Sequence, residues 1–370
     1  MTKIAFLGDV CPGGVLPYQT EYVDKRLLTY LQQFDLRICT LEGAIGSGFE
    51  YEPSKLSQNG GNNNINFIRD EDVFRFIELG IDIVSMANNH AIDLGKEGFL
   101  NTIQQLKKNN IRYVGAGLNF EEASKPLILN LQENISIAIV ACCIEGTFPW
   151  ACTIATKNSP GIYKTDIGTL VTEVRKLKKI HDVVIVMPHW GEEHRYFPPL
   201  ECKKYASMLA NAGADAIFAS HSHTYGPIVK IKDCNVAYGM GNFLFPDFCM
   251  IPPRPMFYPS SKEELDYFVR VENYPKIIHS KTVSVWDKKS RIGLVLEYTV
   301  SSKKINYQFV NLLEDNVLNL LKDVNPLKEL FLRYWEMPLG GMFMKSKYII
   351  KIIRKIINVY LSLAKKWQKI

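Results

Sequence analysis

Short runs of apolar, β-branched residues recur along this chain, and each run ends at a residue that can do chemistry. One run at 216–219 is followed at once by His221 and His223. Apolar runs of this length are typical of buried strands. In extended backbone alternate side chains point the same way, so we expect these two imidazoles to face one point in space. Because neutral imidazoles bind metal ions near pH 7, the run predicts a candidate metal site at the end of a strand.

Other strand-like runs end in the same way, and helical segments separate them. The segments with helical spacing are 21–33, 95–109, 169–180 and 200–212. Strands that alternate with helices predict an α/β fold whose polar site lies at the carboxyl ends of the strands. The strand-like segments 3–7, 35–41, 81–86 and 183–188 lead respectively to Asp9, Glu42, Asn89 with His90, and His189.

Composition limits the kind of protein this can be. A length of 370 residues with 47% hydrophobic residues predicts a sizeable core, in one large domain with additions or in two. Eight cysteines without regular spacing indicate reduced thiols in a cytosol-like compartment. Asp9 comes too early for a signal peptide, and no charge-free apolar run is long enough to cross a membrane, so we expect a cytoplasmic location. The net charge of +6 is mild, and no nucleic-acid partner is expected.

The pattern changes past residue 245. A first domain is predicted at 1–312, in which the Pro-rich and aromatic stretch 246–280 forms a lid or an insertion. A helical tail at 313–370 is predicted to follow. Three later segments are expected to be antiparallel strands that complete a sheet: 282–286, 293–300 and 305–310.

The segment 342–370 has the pattern of a basic amphipathic helix. No acidic residue follows Met337, and lysines and arginines lie opposite an apolar face. This pattern favours a helix that lies on an anionic membrane surface, here the inner face of the membrane, or that binds a partner protein. The alternative is a helix that docks on its own domain and leaves its lysines in water.

Taken together, the strand ends offer a set of metal ligands. Each residue has a structural explanation of its own, as a helix cap, a turn residue or a hydrogen-bonded buried histidine. Their common position at the ends of successive strands favours a single site instead. Carboxylate, amide and imidazole ligands suit Mn²⁺, Fe or Zn²⁺, and one or two such ions are expected. The strand ends offer as candidate donors Asp9, Glu42, Asn89 with His90, His189, and His221 with His223.

At these positions the chain resembles a known family. It is similar to the CapA family of bacterial poly-γ-glutamate capsule synthesis proteins, which are related to calcineurin-like metallophosphoesterases. The resemblance implies a four-layered α/β sandwich in which two β-sheets are flanked by helices. The motifs that carry it are Gly8-Asp9, Leu41-Glu42-Gly43, the run from Ala87 to Asp93, the run from His189 to Glu193, His221-Ser222-His223 and the run from Gly241 to Phe245.

The resemblance also implies roles for single residues. Asp9 and His223 would hold one ion, Asn89, His189 and His221 would hold a second, and Glu42 would bridge them. The catalytic group would be His90, which protonates the leaving atom, oriented by Asp93. Glu193 would contact either the substrate or one of the metal ligands, and its neighbour His194 is expected to be an exposed bystander.

One position departs from the pattern of the related phosphoesterases. They generally place a histidine two residues after the first aspartate, and this chain has Cys11 there. A Cys11 thiolate could still bind the first ion, but a small buried hydrophobic residue explains the position equally well. If Cys11 is not a ligand, the first ion is bound more weakly. The sequence therefore leaves open whether the protein binds one ion or two.

Three functions follow from this reasoning. The first is capsule or exopolymer biosynthesis, of the poly-γ-glutamate or exopolysaccharide kind, with a metal-dependent hydrolase site acting on an anionic polymer. The second is a metal-dependent phosphoesterase that acts on a small or lipid-linked phosphate. The third is a membrane-peripheral scaffold that keeps the fold without catalysis.

Overall fold

The computed structural model describes residues 1–50, 65–132, 134–146, 152–250, 256–272 and 281–321. The predicted helix 342–370 lies outside these residues, so its contact with a membrane or a partner stays a prediction. None of the described helices has the length and apolar character needed to cross a membrane. A compact unit runs from Met1 to Asp323, and its last described strand, at 318–320, lies beyond the expected domain boundary at residue 312.

The strands alternate with helices through the first two thirds of the chain. In chain order the strands are β1 (Lys3–Val10), β2 (Leu36–Leu41), β3 (Ala44–Ile45), β4 (Phe67–Ile68), β5 (Ile83–Ser85), β6 (Arg112–Val114), β7 (Ala116–Gly117), β8 (Leu127–Asn130), β9 (Ser136–Ile144), β10 (Gly161–Ile162), β11 (Lys164–Thr165), β12 (Val183–His189), β13 (Ala216–Phe218), β14 (Ile228–Ile231), β15 (Cys234–Ala237), β16 (Asn242–Leu244), β17 (Phe248–Met250), β18 (Met256–Phe257), β19 (Val269–Glu272), β20 (Thr282–Val285), β21 (Ile292–Thr299), β22 (Lys304–Leu312) and β23 (Leu318–Leu320).

The helices lie close to where the periodicity predicts them, with shorter ends in the first case. A predicted helix over 21–33 is confined to seven residues, because Asp24 caps its first turn by accepting a hydrogen bond from the backbone N–H of Arg26. The α-helices are α1 (Lys25–Leu31), α2 (Phe74–Glu78), α3 (Gly95–Lys108), α4 (Phe120–Ser124), α5 (Ile167–Lys178), α6 (Leu200–Ala212) and α7 (Lys262–Asp266), with short 3₁₀ turns at Leu16–Tyr18 and Asp70–Val73.

Two large sheets organise the strands. The first has the order β23-β22-β21-β1-β2-β5-β6, with β16 beside the end of β1, and its β1, β2, β5 and β6 are parallel. The second has the order β11-β9-β12-β13-β15-β14, with β8 beside β9, and its β9, β12, β13 and β15 are parallel. Parallel strands in one sheet bring their carboxyl ends to one edge, which is where the candidate ligands were expected.

Alternation along the strands shows how the layers are arranged. On β1, Phe6 faces the second sheet, and its ring centroid lies 4.6 Å from that of Phe218 on β13. The next residue, Leu7, faces the other way, into a core that includes Leu27 of α1 and Phe99 of α3. Residues alternate in the same way on β12 of the second sheet, whose outer face packs against α5 and α6. The fold is therefore the sandwich of two sheets flanked by helices that the resemblance implied.

The strand β20 at 282–285 does not belong to the same sheet as the two strands that follow it, contrary to the prediction from the sequence. Segments 293–300 and 305–310 do correspond to antiparallel strands of the first sheet, β21 and β22. In contrast β20 belongs to a separate four-stranded sheet of order β18-β17-β20-β19, in which it runs antiparallel to β17 and parallel to β19. Three short strands of the stretch 246–280, β17, β18 and β19, therefore belong to this small sheet, and its core includes Cys249 and Val283.

Candidate metal centre

Donors from both sheets meet at the carboxyl edges of the parallel strands. Asp9 lies on β1, Glu42 follows β2 directly, and Asn89 lies shortly after β5, all in the first sheet. His189 is the last residue of β12 in the second sheet. His221 and His223 lie in the loop that follows β13. The site is therefore built between the two sheets, at the carboxyl ends of their parallel strands.

The donor atoms form two groups that share one carboxylate. Ligand atoms of Asp9, Glu42 and His223 all lie within 4.8 Å of one another, and so do those of Glu42, His189 and His221. Asn89 joins the second group, because its Oδ1 is 3.0 Å from Nε2 of His189. The structure thus brings together all six residues that the sequence singled out as ligands. Two ions, with Glu42 between them, could be held by this arrangement.

Several carboxylate oxygens of the site are buried without a hydrogen-bond donor. Asp9 and Glu42 are completely buried. Among the described residues no donor reaches Oδ1 of Asp9 or either carboxylate oxygen of Glu42. A buried polar atom without a partner costs about 1–3 kcal/mol, and more when it is charged. Divalent cations are the partners that such oxygens take most readily, so the residues present fit a metal centre.

Burial moves the pKa values of the two kinds of donor in opposite directions. Loss of hydration raises the pKa of Asp9 to about 7. Burial, together with repulsion by Asp9, raises the pKa of Glu42 well above its ordinary value. Burial lowers the pKa of His221 to about 3 and lowers the pKa of His189 well below its ordinary value. In each case the protein interior disfavours the charged form of an isolated group.

The two histidines after β13 reach the site by a different route from the one expected. β13 ends at Phe218, and the residues that follow are bent instead of extended. The φ angles are 93° for His221 and 51° for His223, in the left-handed region that side-chain-bearing residues rarely adopt. The two histidines belong to different donor groups, His221 to the one with His189 and His223 to the one with Asp9, and extended alternation does not place them there. Tight bends in the loop direct them, at a cost in backbone strain of about 1–3 kcal/mol each.

His90 and Asp93 form a hydrogen-bonded pair beside the ligands. Nδ1 of His90 lies 2.6 Å from Oδ2 of Asp93, and the same oxygen accepts a hydrogen bond of 2.7 Å from the backbone N–H of Asn66. The backbone N–H of His90 donates to Oδ1 of Asn88, whose amide donates to the carbonyl of Leu41. The imidazole is therefore fixed in direction by its own carboxylate and by the turn that carries it.

Glu193 and His194 lie on the loop after β12. Glu193 is partly buried, and burial raises its pKa to about 7. The expectation that His194 is an exposed bystander is wrong. Its Nδ1 lies 3.1 Å from the hydroxyl of Ser290, and its ring centroid is 5.8 Å from that of His223. The residue is held there because the loop at 286–291 packs against it.

Some supporting residues were not identified from the sequence. Oδ1 of Asn242 is 2.9 Å from Nδ1 of His223, and the hydroxyl of Ser220 is 2.8 Å from Nδ1 of His189. The ring centroid of Trp286 lies 4.9 Å from that of His223. Only Asn242 had a local signal, because Gly241-Asn242 repeats the glycine-then-polar pattern of Gly8-Asp9.

The chain matches the model of one protein family over most of this region. Residues 3–247 match the family described as bacterial capsule synthesis protein PGA_cap. The chain belongs to this family. The matched stretch covers β1 to β16 and includes every candidate ligand of the centre, so the PGA_cap assignment and the geometry concern the same residues.

Named relatives and a solved structure show similarity to this PGA_cap member. The chain is 30% identical to "PGA biosynthesis protein CapA" of Bacillus subtilis over 45% of its own length and 43% of that protein. It is 29% identical to "Capsule biosynthesis protein CapA" of Bacillus anthracis over 65% of its length and 59% of that protein. The chain therefore spans about half the length of these relatives. A 5'-nucleotidase structure from Candida albicans aligns with a TM-score of 0.44 and 11% identity, over 96% of this chain and 59% of that one.

Cys11 takes no part in either donor group of this PGA_cap member. It is buried and lies in the core cluster beneath β1 and β2. Burial and the nearby Glu42 carboxylate raise the pKa of its thiol, which disfavours a thiolate. Within the described residues, each donor group contains three carboxylate or imidazole residues and does not include Cys11.

Proposed function

We propose that this protein takes part in the synthesis of a capsule or exopolymer of the poly-γ-glutamate type, and that it does so with a metal-dependent hydrolytic centre. The observation that carries the proposal is the placement of Glu42 between two donor groups, one with Asp9 and His223 and one with His189 and His221. Membership of PGA_cap and the names of the two relatives support the capsule role.

The residues of the centre have separable tasks in this proposal. Asp9, Glu42 and His223 would hold one ion, and Glu42, Asn89, His189 and His221 the other. Ions held there would supply Lewis-acid polarisation of a phosphoryl or carbonyl oxygen and a nucleophile at neutral pH. We assign Mn²⁺, Fe or Zn²⁺ to the site because carboxylate, amide and imidazole donors suit these ions.

His90 would act as the general acid. Nδ1 of His90 lies against Oδ2 of Asp93 at 2.6 Å, so the opposite nitrogen, Nε2, would be the one that gives a proton to the leaving atom. His90 is 7% exposed and Asp93 is fully buried, which keeps water from competing for this hydrogen bond. Glu193, on the loop after β12, would contact the substrate.

The substrate class follows from the charge of such a centre. Metal ions attract anionic groups, so a polymer that carries carboxylates would be held and cleaved at one of its linkages. A phosphate ester on a small or lipid-linked molecule is the second candidate. The His90–Asp93 pair would serve either reaction, because a positioned acid assists departure of an alcohol from phosphorus and of an amine from a carbonyl group.

Metal analysis tests the centre itself. Purified full-length protein loaded with Mn²⁺ or Zn²⁺ should retain one to two ions per chain, and His221→Ala should retain fewer. His181→Ala is the matched control, since His181 lies before β12 at the opposite end of the second sheet, and it should leave the number unchanged. Absence of bound metal under all loading conditions would refute the metal centre.

Two substrates then separate the candidate reactions. Loaded protein is assayed with poly-γ-glutamate and with an aryl phosphodiester, alongside His90→Asn. We expect turnover of the polymer to fall about 10²–10⁴-fold in the variant while its metal content is unchanged. Turnover of the phosphodiester alone would favour the second candidate. Turnover of neither would refute the hydrolytic role.

A further inference from the structure

We infer that Asn242 is a positioning residue that selects the tautomer of His223 able to bind a metal ion. The inference rests on the proposed metal centre and adds a residue to it. Asn242 lies on β16 and is 1% exposed, and among the described residues its side chain hydrogen-bonds to one proposed ligand, His223, and to the backbone of Ser290. It would act on the ion held by Asp9, Glu42 and His223, and leave the other ion to its own ligands.

The orientation of the Asn242 amide follows from its two hydrogen bonds. Its Nδ2 donates to the backbone carbonyl of Ser290 at 3.0 Å. A carbonyl oxygen can only accept, so the nitrogen end of the amide must face Ser290. The oxygen end, Oδ1, therefore faces Nδ1 of His223 at 2.9 Å.

This orientation determines which nitrogen of His223 carries hydrogen. Because Oδ1 of Asn242 is an acceptor, Nδ1 of His223 must be the donor. In a neutral imidazole the other nitrogen, Nε2, then has a free lone pair. Nε2 lies 3.6 Å from Oε1 of Glu42, on the side where the shared carboxylate points. The opposite tautomer would set two acceptors against each other and turn an N–H towards the ion.

The backbone places Asn242 beside the ligands by a close strand contact. Asn242 is paired with Asp9 in the register of β16 and β1, and the N–H of Asp9 donates to the carbonyl of Gly241 at 2.9 Å. A Cβ atom on Gly8 would lie 1.8 Å from that carbonyl oxygen, so only glycine allows this approach. The pairing of β1 with β16 therefore positions both Asp9, a proposed ligand, and Asn242, the residue that orients His223.

The second histidine of the centre is supported differently. Nδ1 of His189 lies 2.8 Å from the hydroxyl of Ser220. A hydroxyl can donate or accept, so Ser220 does not select a tautomer, and the other ring nitrogen of His189 lies 3.0 Å from Oδ1 of Asn89, which is itself a proposed ligand of the second ion. Loss of the Asn242 amide should consequently affect one ion site more than the other.

The experiment compares three variants of the full chain with the wild type. Asn242→Leu removes the acceptor at similar size, Asn242→Asp keeps an acceptor facing Nδ1, and Asn235→Leu is the control. Asn235 is also a buried asparagine whose amide donates to a carbonyl, that of Lys303, but it lies on β15 away from the centre. Mn²⁺ affinity is measured at both sites by electron paramagnetic resonance with a competing chelator. The His223 tautomer is read from long-range ¹H–¹⁵N spectra of the metal-free protein.

We expect Asn242→Leu to weaken one Mn²⁺ site about 10–100-fold, the usual effect of removing a partner that orients a metal ligand. His223 should carry hydrogen on Nδ1 in the wild type and in Asn242→Asp, with metal affinity largely restored in the latter. Wild-type affinity at both sites in Asn242→Leu, or an equal loss in Asn235→Leu, would overturn the inference. If Asn242→Leu does not fold, the inference is decided by Asn242→Asp and the wild-type spectrum. If wild-type protein binds no Mn²⁺, the proposed function fails, and hydrogen on Nε2 of His223 in the metal-free spectrum separately overturns the inference.

Discussion

The centre contains both buried carboxyl groups and buried imidazoles, and burial disfavours the charged form of each. The pKa of Asp9 is raised to about 7 and that of His221 is lowered to about 3. A bound cation would favour the ionised form of the Asp9 carboxylate. It would bind the His221 imidazole in its neutral form, which burial already favours. The residues near the ions thus carry a free-energy cost of folding that binding of a cation would offset.

Glu193 offers a test of this cost outside the proposed ligand set. Burial raises its pKa to about 7, so folding favours the neutral acid. That stabilisation is complete below the pKa of the unfolded chain, near 4.5, and is lost as pH rises through about 7. In chelator-treated protein, the free energy of unfolding of the wild type should therefore fall relative to Glu193→Gln between pH 5 and pH 8.

Chemical denaturation at several pH values measures this difference. Glu192→Gln is the matched control, because the Glu192 side chain is 62% exposed and should leave the wild-type pH dependence in place. Identical pH dependence in the wild type and Glu193→Gln would show that the carboxyl of Glu193 is not buried as the structure has it.

Among the strands, β1 is the one on which most of the site depends. It pairs with β21 and β2, and at its end with β16, and its pairing with β2 and β16 shifts register near Asp9. Such an irregularity redirects the side chains at a strand end. Asp9, Glu42 after β2 and Asn242 on β16 therefore depend on the same stretch of backbone. A substitution that shifts this stretch of backbone should therefore displace several donors at once.

Substituting Gly8 tests the dependence. Because a Cβ atom would lie 1.8 Å from the carbonyl oxygen of Gly241, Gly8→Ala must push β1 and β16 apart. We expect a loss of about 1–3 kcal/mol in the free energy of unfolding, typical of overpacking in a core. Metal binding should weaken as well. Both are measured on one preparation, by denaturant unfolding and by metal analysis.

Gly168→Ala is the control for this variant. Gly168 lies in α5, and the nearest atom to a Cβ there is a side-chain oxygen of Asp166 at 3.1 Å. Gly168 is the second residue of α5, where alanine gains less than the roughly 0.5–1 kcal/mol of a helix interior, so Gly168→Ala should leave the stability close to that of the wild type. Equal stability of Gly8→Ala and the wild type would contradict the close contact between β1 and β16.

On the scale of the whole molecule, the centre connects two sheets. Asp9, Glu42 and Asn89 belong to the first sheet, and His189 with the loop of His221 belongs to the second. Apart from the ligands, the sheets meet through apolar side chains such as Phe6 and Phe218. An ion that takes ligands from both sheets binds the folded state and not the unfolded chain, so it should stabilise the fold.

Thermal unfolding with and without metal checks this prediction. At a free Mn²⁺ concentration 100 times the Kd, one site should add about 2.7 kcal/mol to the free energy of unfolding. The Tm of the wild type should rise on loading and return on addition of chelator. Glu42→Gln should lose most of the rise, since Glu42 is common to both donor groups. The same Tm in chelator and in Mn²⁺ would contradict a centre that joins the sheets.

Local pattern determined much of this protein. Apolar runs and helical spacing located several strands of each sheet and the four longest helices, because burial alternates with a period set by each backbone geometry. The candidate ligands were found for a related reason: each lies at or shortly after the end of a parallel strand, and such ends meet along one edge.

Tertiary structure decided what depends on residues far apart in the chain. The left-handed turns at His221 and His223, the burial of His194 and the contact between Asn242 and His223 all arise from packing between separate segments. The placement of β20 in a separate sheet is of the same kind. Periodicity records whether a residue is buried, but not which distant group it meets, and at this centre the distant group sets the direction of each donor and the nitrogen on which His223 carries its hydrogen.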